Sequence, residues 1–405
     1  MDTNNILENN NQKNITNITK YEDFDDMKLE YSVLRGIYGY GFEKPSIIQQ
    51  QAIVPMISGK DIIAQAHSGT GKTGTFIIGV LNKIEKKIRE CKKDKYEIIG
   101  CHTIIVSPTR ELAYQTINVC KELAKFIKVN IVACIGGTST KENQRNLSEG
   151  TIVAIGTPGR ILDMMYRGYL SKDTIKTLIL DEADELLRKN FQDQLKIIIT
   201  SLNKDTQICL FSATMPKEVI QLAKEFMNDP VSILVEQNKL TLRGITQYYI
   251  NVKRREYKFN TICDLFKNIN INQSIIYANS IRRVEDLQRQ LISNNFTVSA
   301  IHGKMSQDIR RAIMKDFKSG KTRVLVATDL LARGIDVNKV TLVINYDLPR
   351  DVENYLHRIG RSGRFGKRGT AINFITHKDF YILRDIETYY SIKIDPMPKI
   401  DKITF

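Results

Sequence analysis

The chain has no cysteine pair at metal-motif or redox-motif spacing. Its six cysteines (Cys91, Cys101, Cys120, Cys134, Cys209 and Cys263) stand apart from one another. That scatter argues against a disulfide framework and against a cysteine zinc site. Several lie in apolar runs, where a buried, reduced thiol is expected. No apolar run is long enough to span a bilayer, and the opening residues lack a signal-peptide pattern. A reducing, intracellular setting with no membrane partner is therefore expected, and the Asn-Ile-Thr triplets at Asn14 and Asn17 are read as chance sequons. Acidic residues run short in the second half. From Glu236 onward 17 Asp and Glu face 30 Lys and Arg, whereas the residues before it hold 28 against 30. The net charge of +15 thus sits mainly in the second half, which suits a polyanion such as a nucleic-acid backbone.

What is present begins with Ala66-His67-Ser68-Gly69-Thr70-Gly71-Lys72-Thr73. A short β-branched run, Asp61 to Gln65, precedes it, and an apolar, proline-free stretch, Gly74 to Leu81, follows. Strand, glycine-rich loop and helix in that order are what a phosphate-binding loop requires. The glycines let backbone N–H groups close around an anion at a helix N-terminus, where the helix dipole already favours negative charge. Lys72 would reach the β- and γ-phosphates, and the Thr73 hydroxyl would ligate Mg²⁺. Ala66 stands where this pattern usually has glycine, and His67 receives no role.

At 405 residues the chain exceeds one ordinary core, so two domains are expected. Residues 1–20 are asparagine-rich and read as a disordered tail. Residues 21–235 form the first domain. Leu29, Val33, Leu34 and Ile37 lie there at helical spacing, and Pro45 is placed to start a new helix. Short apolar strands then alternate with amphipathic stretches, which predicts a parallel sheet with helices on both faces. The predicted strands are Ile62–Gln65, Thr103–Ser107, Ile131–Cys134, Ile152–Ile155, Leu178–Leu180 and Ile208–Phe211. The polar, patternless residues 236–243 read as a linker. Residues 244–405 repeat the scheme, with strands at Ser274–Ala278, Val298–Ile301, Arg323–Ala327, Leu342–Asn345 and Ala371–Ile375. Unusual polar clusters follow strand ends at Ser68–Gly71, Pro108–Glu111, Thr157–Arg160, Asp181–Asp184 and Ser212–Thr214. Open parallel sheets bind ligands at that edge.

Leu178-Ile179-Leu180 ends in Asp181-Glu182, a buried strand delivering two carboxylates. Hydrolysis of a phosphoanhydride needs one acidic group for Mg²⁺ and another to orient the attacking water. Asp181 suits the first role and Glu182 the second. Asp181-Glu182-Ala183-Asp184, together with the Gln49 segment, Pro108-Thr109-Arg110-Glu111-Leu112-Ala113, Ser212-Ala213-Thr214 and His357-Arg358-Ile359-Gly360-Arg361-Ser362-Gly363-Arg364, resembles the DEAD-box RNA helicases. The motifs stand in that family's order across residues 21–398. Within the family the chain is similar to the translation initiation factor four-A type, through Gly41–Ser46, Leu240–Ile245 and Thr328–Val337.

The resemblance implies two tandem RecA-like domains that use ATP and Mg²⁺. It implies that Phe42, supported by Phe24, stacks on adenine while Gln49 pairs with its edge. Ala66, Ser68, Gly69, Thr70, Gly71, Lys72 and Thr73 would hold the phosphates, with Gly334 and Asp336 facing the ribose. Arg361 and Arg364 resemble arginine fingers, whose guanidinium forks suit the charge on the transferred phosphoryl oxygens. Pro108, Thr109, Arg110, Gly137, Thr157 and Arg160 in one domain, and Ser280, Gly303, Gln307, Arg310 and Thr328 in the other, would contact RNA. Such residues reach phosphates and 2′-OH groups but read base edges poorly, so binding would be independent of sequence. Asp184, Ser212, Thr214 and His357 would couple the nucleotide state to RNA. The implied partners are single-stranded or short duplex RNA and a scaffold protein of the cap-binding complex, for a cytoplasmic monomer acting in translation initiation. The alternative is a nuclear ATP-gated RNA clamp or scaffold on spliced messages or pre-ribosomal RNA. Lys304, Tyr277, Ala278, Asn190 and the ending Met397–Phe405 depart from the family's pattern, and they bear on partner binding more than on catalysis.

Overall fold

The computed structural model describes residues 19–66, 69–94, 100–187, 191–234, 245–268, 273–329, 340–362 and 369–398. The chain divides into two compact units, Met1–Glu236 and Gln237–Phe405. The first unit holds β1 (Ile62–Gln65), β2 (Thr103–Val106), β3 (Ile131–Cys134), β4 (Val153–Gly156), β5 (Thr177–Asp181), β6 (Gln207–Ser212) and β7 (Val231–Leu234). They pair in parallel in the order β3-β4-β2-β5-β6-β1-β7. Parallel strands covered on both faces read as unbroken apolar runs, and every residue of β2, β4, β5 and β6 is buried. Alternation divides them between two cores. Ile105, Ile155, Ile179 and Phe211 pack on one face, while Ile104, Ala154, Leu178, Leu180 and Leu210 pack on the other.

The second unit holds β8 (Ile245–Lys253), β9 (Gln273–Tyr277), β10 (Val298–Ile301), β11 (Val324–Ala327), β12 (Val340–Asn345), β13 (Gly369–Thr376) and β14 (Asp395–Pro396). Their order is β10-β11-β9-β12-β13-β8-β14, again parallel throughout. Counted from its own first strand, each sheet has the same strand order, so the chain carries the RecA-like fold twice.

Three strands have no counterpart in the sequence reading. β7 and β14 are edge strands with little burial, and β8 is only partly buried along most of its length, so none forms an apolar run. Predicted strand ends elsewhere shift by one or two residues. Pro45 does not start its helix. Ser46 is the N-cap of Ile47–Ile57, and Pro45 lies one residue before it. Capping-box residues at Ser46 and Gln49 explain the placement, with the Ser46 N–H donating to Gln49 Oε1 at 2.8 Å. Likewise Leu29 precedes the helix Tyr31–Tyr40, which buries Val33 and Ile37. Residues 1–18 of the expected tail and all of the expected linker lie outside the described residues.

Candidate functional site

The sheet order sorts the polar clusters of the first unit into two groups. The loops after β5, β6 and β1 are neighbours, and so are the loops after β3, β4 and β2.

In the first group, Lys72 opens the helix Lys72–Asp94 and is buried, with its ammonium donating to the Ala66 carbonyl. Thr73 beside it is half-buried, as is Thr70, while Gly69 is exposed. Gly71 has φ +99°, and a Cβ there would meet Ser46 Oγ at 2.7 Å. A Cβ on Gly74 would meet Gln49 Nε2 at 2.8 Å and Phe42 Cε2 at 3.1 Å. These two glycines therefore let the 42–49 segment lie directly against the loop. Gln49 is buried and its amide is engaged: Oε1 accepts the Ser46 N–H at 2.8 Å, and Nε2 donates to the Gly71 carbonyl at 3.5 Å. Phe42 stacks on fully buried Phe24, with centroids 6.4 Å apart, and meets Tyr40 edge-on.

Asp181 ends β5 and Glu182 follows at φ 51°, a left-handed conformation that is uncommon for residues other than glycine. Both are buried. Burial, and then the neighbouring Glu182 carboxylate, hold the Asp181 carboxyl above the usual range against the pull of the Lys72 ammonium. Asp181 Oδ2 is buried with no hydrogen-bond donor among the described residues. The buried, open carboxylate oxygen of Asp181 and the hydroxyl of half-buried Thr73 are the hard oxygen donors that suit a divalent cation. Behind it runs a chain of bonds. The Ala66 N–H donates to the Ser212 carbonyl at 3.0 Å, the Asp184 N–H to Ser212 Oγ at 3.2 Å, and Thr214 Oγ1 to Asp184 Oδ2 at 2.8 Å. The phosphate loop is thus tied to the residues expected to couple it to RNA.

The second group gathers six expected RNA contacts. Pro108 is buried, and Thr109 caps the helix Arg110–Leu123 by accepting the Leu112 N–H at 3.2 Å. Arg110 lies along Gly136-Gly137, where a Cβ on Gly137 would stand 2.5 Å from Nη1. Thr157 precedes the helix Pro158–Tyr166 and accepts the Gly136 N–H at 3.5 Å. Arg160, in that helix's first turn, donates to the Thr138 carbonyl at 2.9 Å and to Asn143 Oδ1 at 2.5 Å. These residues form one edge.

In the second unit, Ser280 follows β9 and caps the helix Ile281–Ser293, accepting the Arg283 N–H at 3.3 Å. Gly303 follows β10 and is exposed, Thr328 follows β11 and is half-buried, and Arg310 is buried in the helix Gln307–Ser319. β10, β11 and β9 are adjacent, matching the arrangement in the first unit. His357 is buried in the helix Val352–Ile359, and Arg361, also buried, donates from Nε to the His357 carbonyl at 3.1 Å. Ser68, Gly334, Asp336, Arg364 and Asn190 lie outside the described residues, as does the side chain of Gln307.

Sequence reasoning assigned no role to Arg358, the largest fully buried side chain. Its guanidinium grips both carboxylate oxygens of Asp329 and donates to Asn279 Oδ1 at 2.8 Å and the Asp347 carbonyl at 2.7 Å. It thereby joins the loops after β9, β11 and β12 to the helix that leads to Arg361. The only signal was its place inside an arginine-rich motif, where the finger residues drew the attention.

A phosphate loop beside a buried carboxylate pair, on one of two tandem RecA-like domains, defines a helicase-type ATPase. Residues 46–222 match the DEAD/DEAH box helicase family and residues 257–366 the helicase conserved C-terminal domain, and the chain belongs to the DEAD-box helicase family, whose members are RNA-dependent ATPases. It is 53% identical over 378 residues to eukaryotic initiation factor 4A of Drosophila melanogaster, covering 93% of this chain and 91% of that one. It is 50% identical to ATP-dependent RNA helicase eIF4A of Mycosarcoma maydis, over 94% and 90% of the two chains. S. cerevisiae Dbp5 bound to RNA and ADP BeF3 superposes with a TM-score of 0.85 at 35% identity, over 93% and 96%.

Proposed function

We propose that this enzyme couples ATP hydrolysis, in a cleft between its two domains, to sequence-independent RNA binding and local unwinding of short duplexes during translation initiation. The observation that carries the reading is the open carboxylate oxygen of Asp181, held beside the Lys72 loop and wired to Ser212 and Thr214. A magnesium ion held by Thr73 and Asp181 would neutralise charge on the phosphates. Lys72 binds the β- and γ-phosphates with the backbone of residues 66–71, and Glu182 orients the attacking water. Phe42 and Gln49 recognise adenine, for which Gln49 exchanges its bond to Gly71 for bonds to the base. Gly334 and Asp336 face the ribose, and Arg361 and Arg364 take up charge on the transferred phosphoryl group.

RNA lies along Pro108, Thr109, Arg110, Gly137, Thr157 and Arg160, and continues over Ser280, Gly303, Gln307, Arg310 and Thr328. Asp184, Ser212, Thr214 and His357 relay the nucleotide state between the two groups. In this reading residues 21–235 form the nucleotide-reading domain, 236–243 the linker, and 244–405 the domain of fingers and further RNA contacts. The identity with initiation factor 4A proteins supports cytoplasmic action with a cap-binding scaffold. Steady-state ATPase with and without unstructured RNA, alongside unwinding of a short duplex, tests the reading. RNA should stimulate turnover strongly with ATP and weakly with GTP. Turnover indifferent to RNA would overturn it, and co-purification with splicing factors in place of a cap-binding scaffold would overturn the translation role.

A further inference from the structure

Arg160 is held entirely by neutral groups. Its Nη1 donates to Asn143 Oδ1 at 2.5 Å and Thr138 Oγ1 at 3.3 Å, and its Nη2 to the Thr138 carbonyl at 2.9 Å. Each acceptor is itself fixed. Asn143 Nδ2 donates to the Ala133 carbonyl of β3 at 2.6 Å, and Thr138 Oγ1 to the Ile135 carbonyl at 2.8 Å. Asn143 is only 4% exposed, and with Leu147 it is one of the two buried residues of the helix Thr140–Ser148. Arg110 approaches the same turn from the other side, over Gly137. Neither guanidinium has an ion-pair partner among the described residues. Elsewhere on this surface arginines do find carboxylates: Arg167 pairs with Asp163 at 2.7 Å, and Arg145 with Glu149 at 3.7 Å.

We infer that Asn143 is a positioning residue that fixes the Arg160 guanidinium while leaving its charge unspent for an RNA phosphate. An aspartate at 143 would accept the same hydrogen bond, but it would neutralise the cation and turn Arg160 inward. A neutral amide holds the fork without competing with the phosphate, and its second arm anchors the assembly to the sheet. A charge-assisted bond from Arg160 to a phosphate oxygen would be shorter and stronger than any it makes now. The inference rests on the reading of this edge as an RNA contact.

The test measures affinity of the full-length protein for a fluorescent single-stranded RNA across a salt series, with ATP analogue present. Each phosphate neutralised on a single strand contributes a slope of about −0.7 in log K against log salt. Asn143→Asp should weaken binding about tenfold at low salt and flatten the slope by about one phosphate contact, ~0.7. Arg160→Ala should flatten it equally, and the double variant should bind no worse than Arg160→Ala alone. Asn143→Gln, which keeps a neutral acceptor, should weaken binding without flattening the slope. Circular dichroism melting of each variant separates these effects from loss of fold. If Arg160→Ala leaves affinity and slope unchanged, the edge does not bind RNA and the underlying reading fails. If Arg160→Ala flattens the slope while a folded Asn143→Asp keeps the full slope, the edge binds RNA and the role given to Asn143 is wrong. An unfolded Asn143→Asp beside a folded Asn143→Gln with wild-type affinity would also overturn it.

Discussion

The two sheets share one strand order, yet they treat the carboxylate at the end of the equivalent central strand in opposite ways. Asp181 closes β5 with a buried oxygen that no described donor reaches. Asp347 lies just past the end of β12, the strand in the same place in the second sheet, and its oxygens are fully used. Lys258 Nζ stands 3.1 Å from Oδ1 and Arg283 Nη1 2.7 Å from Oδ2, which also accepts the Asn279 N–H at 3.1 Å. Burial pushes both carboxyls upward. In Asp347 the Lys258 charge and the Arg283 and Asn279 bonds reverse that push and bring it below its ordinary range, whereas in Asp181 the Glu182 charge adds to it. One fold therefore carries an open acid at the strand end of the first unit and a closed acid at the matching place in the second. The difference lies in what packs against the strand end, Lys258 from the helix Tyr257–Asn268 and Arg283 from the helix Ile281–Ser293.

The sharpest way to break this contrast is at the open site. Glu182→Gln should retain ATP and RNA binding and lower RNA-stimulated kcat about 10²–10⁴-fold, because the carboxylate proposed to orient the attacking water is lost while Lys72, Thr73 and Asp181 remain. Phosphate release in single-turnover and steady-state assays checks it, and near-normal turnover would remove Glu182 from its role.

At the closed site the effect should fall on stability. Asp347→Asn strips the partner from buried Lys258 and should destabilise the second domain by about 3–5 kcal/mol in denaturant unfolding. The pH dependence has a definite sign. A carboxyl whose folded pKa is depressed contributes stability above its unfolded value, about 3.9, and loses it as pH falls through the lower folded value. The gap between wild type and Asp347→Asn should hold from neutral pH to about pH 5 and narrow below about pH 4. A gap that widens in acid would contradict the ion-pair account.

The matching change in the first domain, Asp181→Asn, should leave the melting temperature equal or raised, since it removes a buried charge whose Oδ2 meets no donor among the described residues and whose burial and Glu182 neighbour outweigh the pull of Lys72. A loss as large as that of Asp347→Asn would erase the distinction between the two acids. A modest loss is expected for Gln49→Ala. It should weaken ATP about tenfold while GTP changes little, and it should lower stability by ~1 kcal/mol because Gln49 also completes the capping box at Ser46. Equal loss for both nucleotides would make Gln49 structural.

The sequence announced most of this because parallel strands buried on both faces must be written as apolar runs, and Ile62–Gln65, Ile131–Cys134 and Val298–Ile301 could be bounded to the residue. Strand β8 could not, because a strand only partly buried along most of its length carries no such run. Among the expected site residues, those assigned to ligands stand in compact motifs, which is why the sequence singles them out. Asn143, Asp329 and Asp347 were not legible, since their chemistry depends on which arginine folds against them from a distant part of the chain. Arg358 is an instructive case. Its four partner residues are the last residue of β12 and three residues of the loops after β9, β11 and β12, and nothing in local spacing says that an arginine in that motif will be wholly buried.

The backbone at Glu182 has an evolutionary consequence. At φ 51° a side chain bearing a Cβ costs about 1 kcal/mol or more relative to glycine. Random drift at this codon is therefore energetically downhill toward glycine, and any lineage that needs only a stable nucleotide-binding domain would tend to slide there. A glutamate held in that conformation is the cost that the proposed water-orienting role would impose on the stability of this domain.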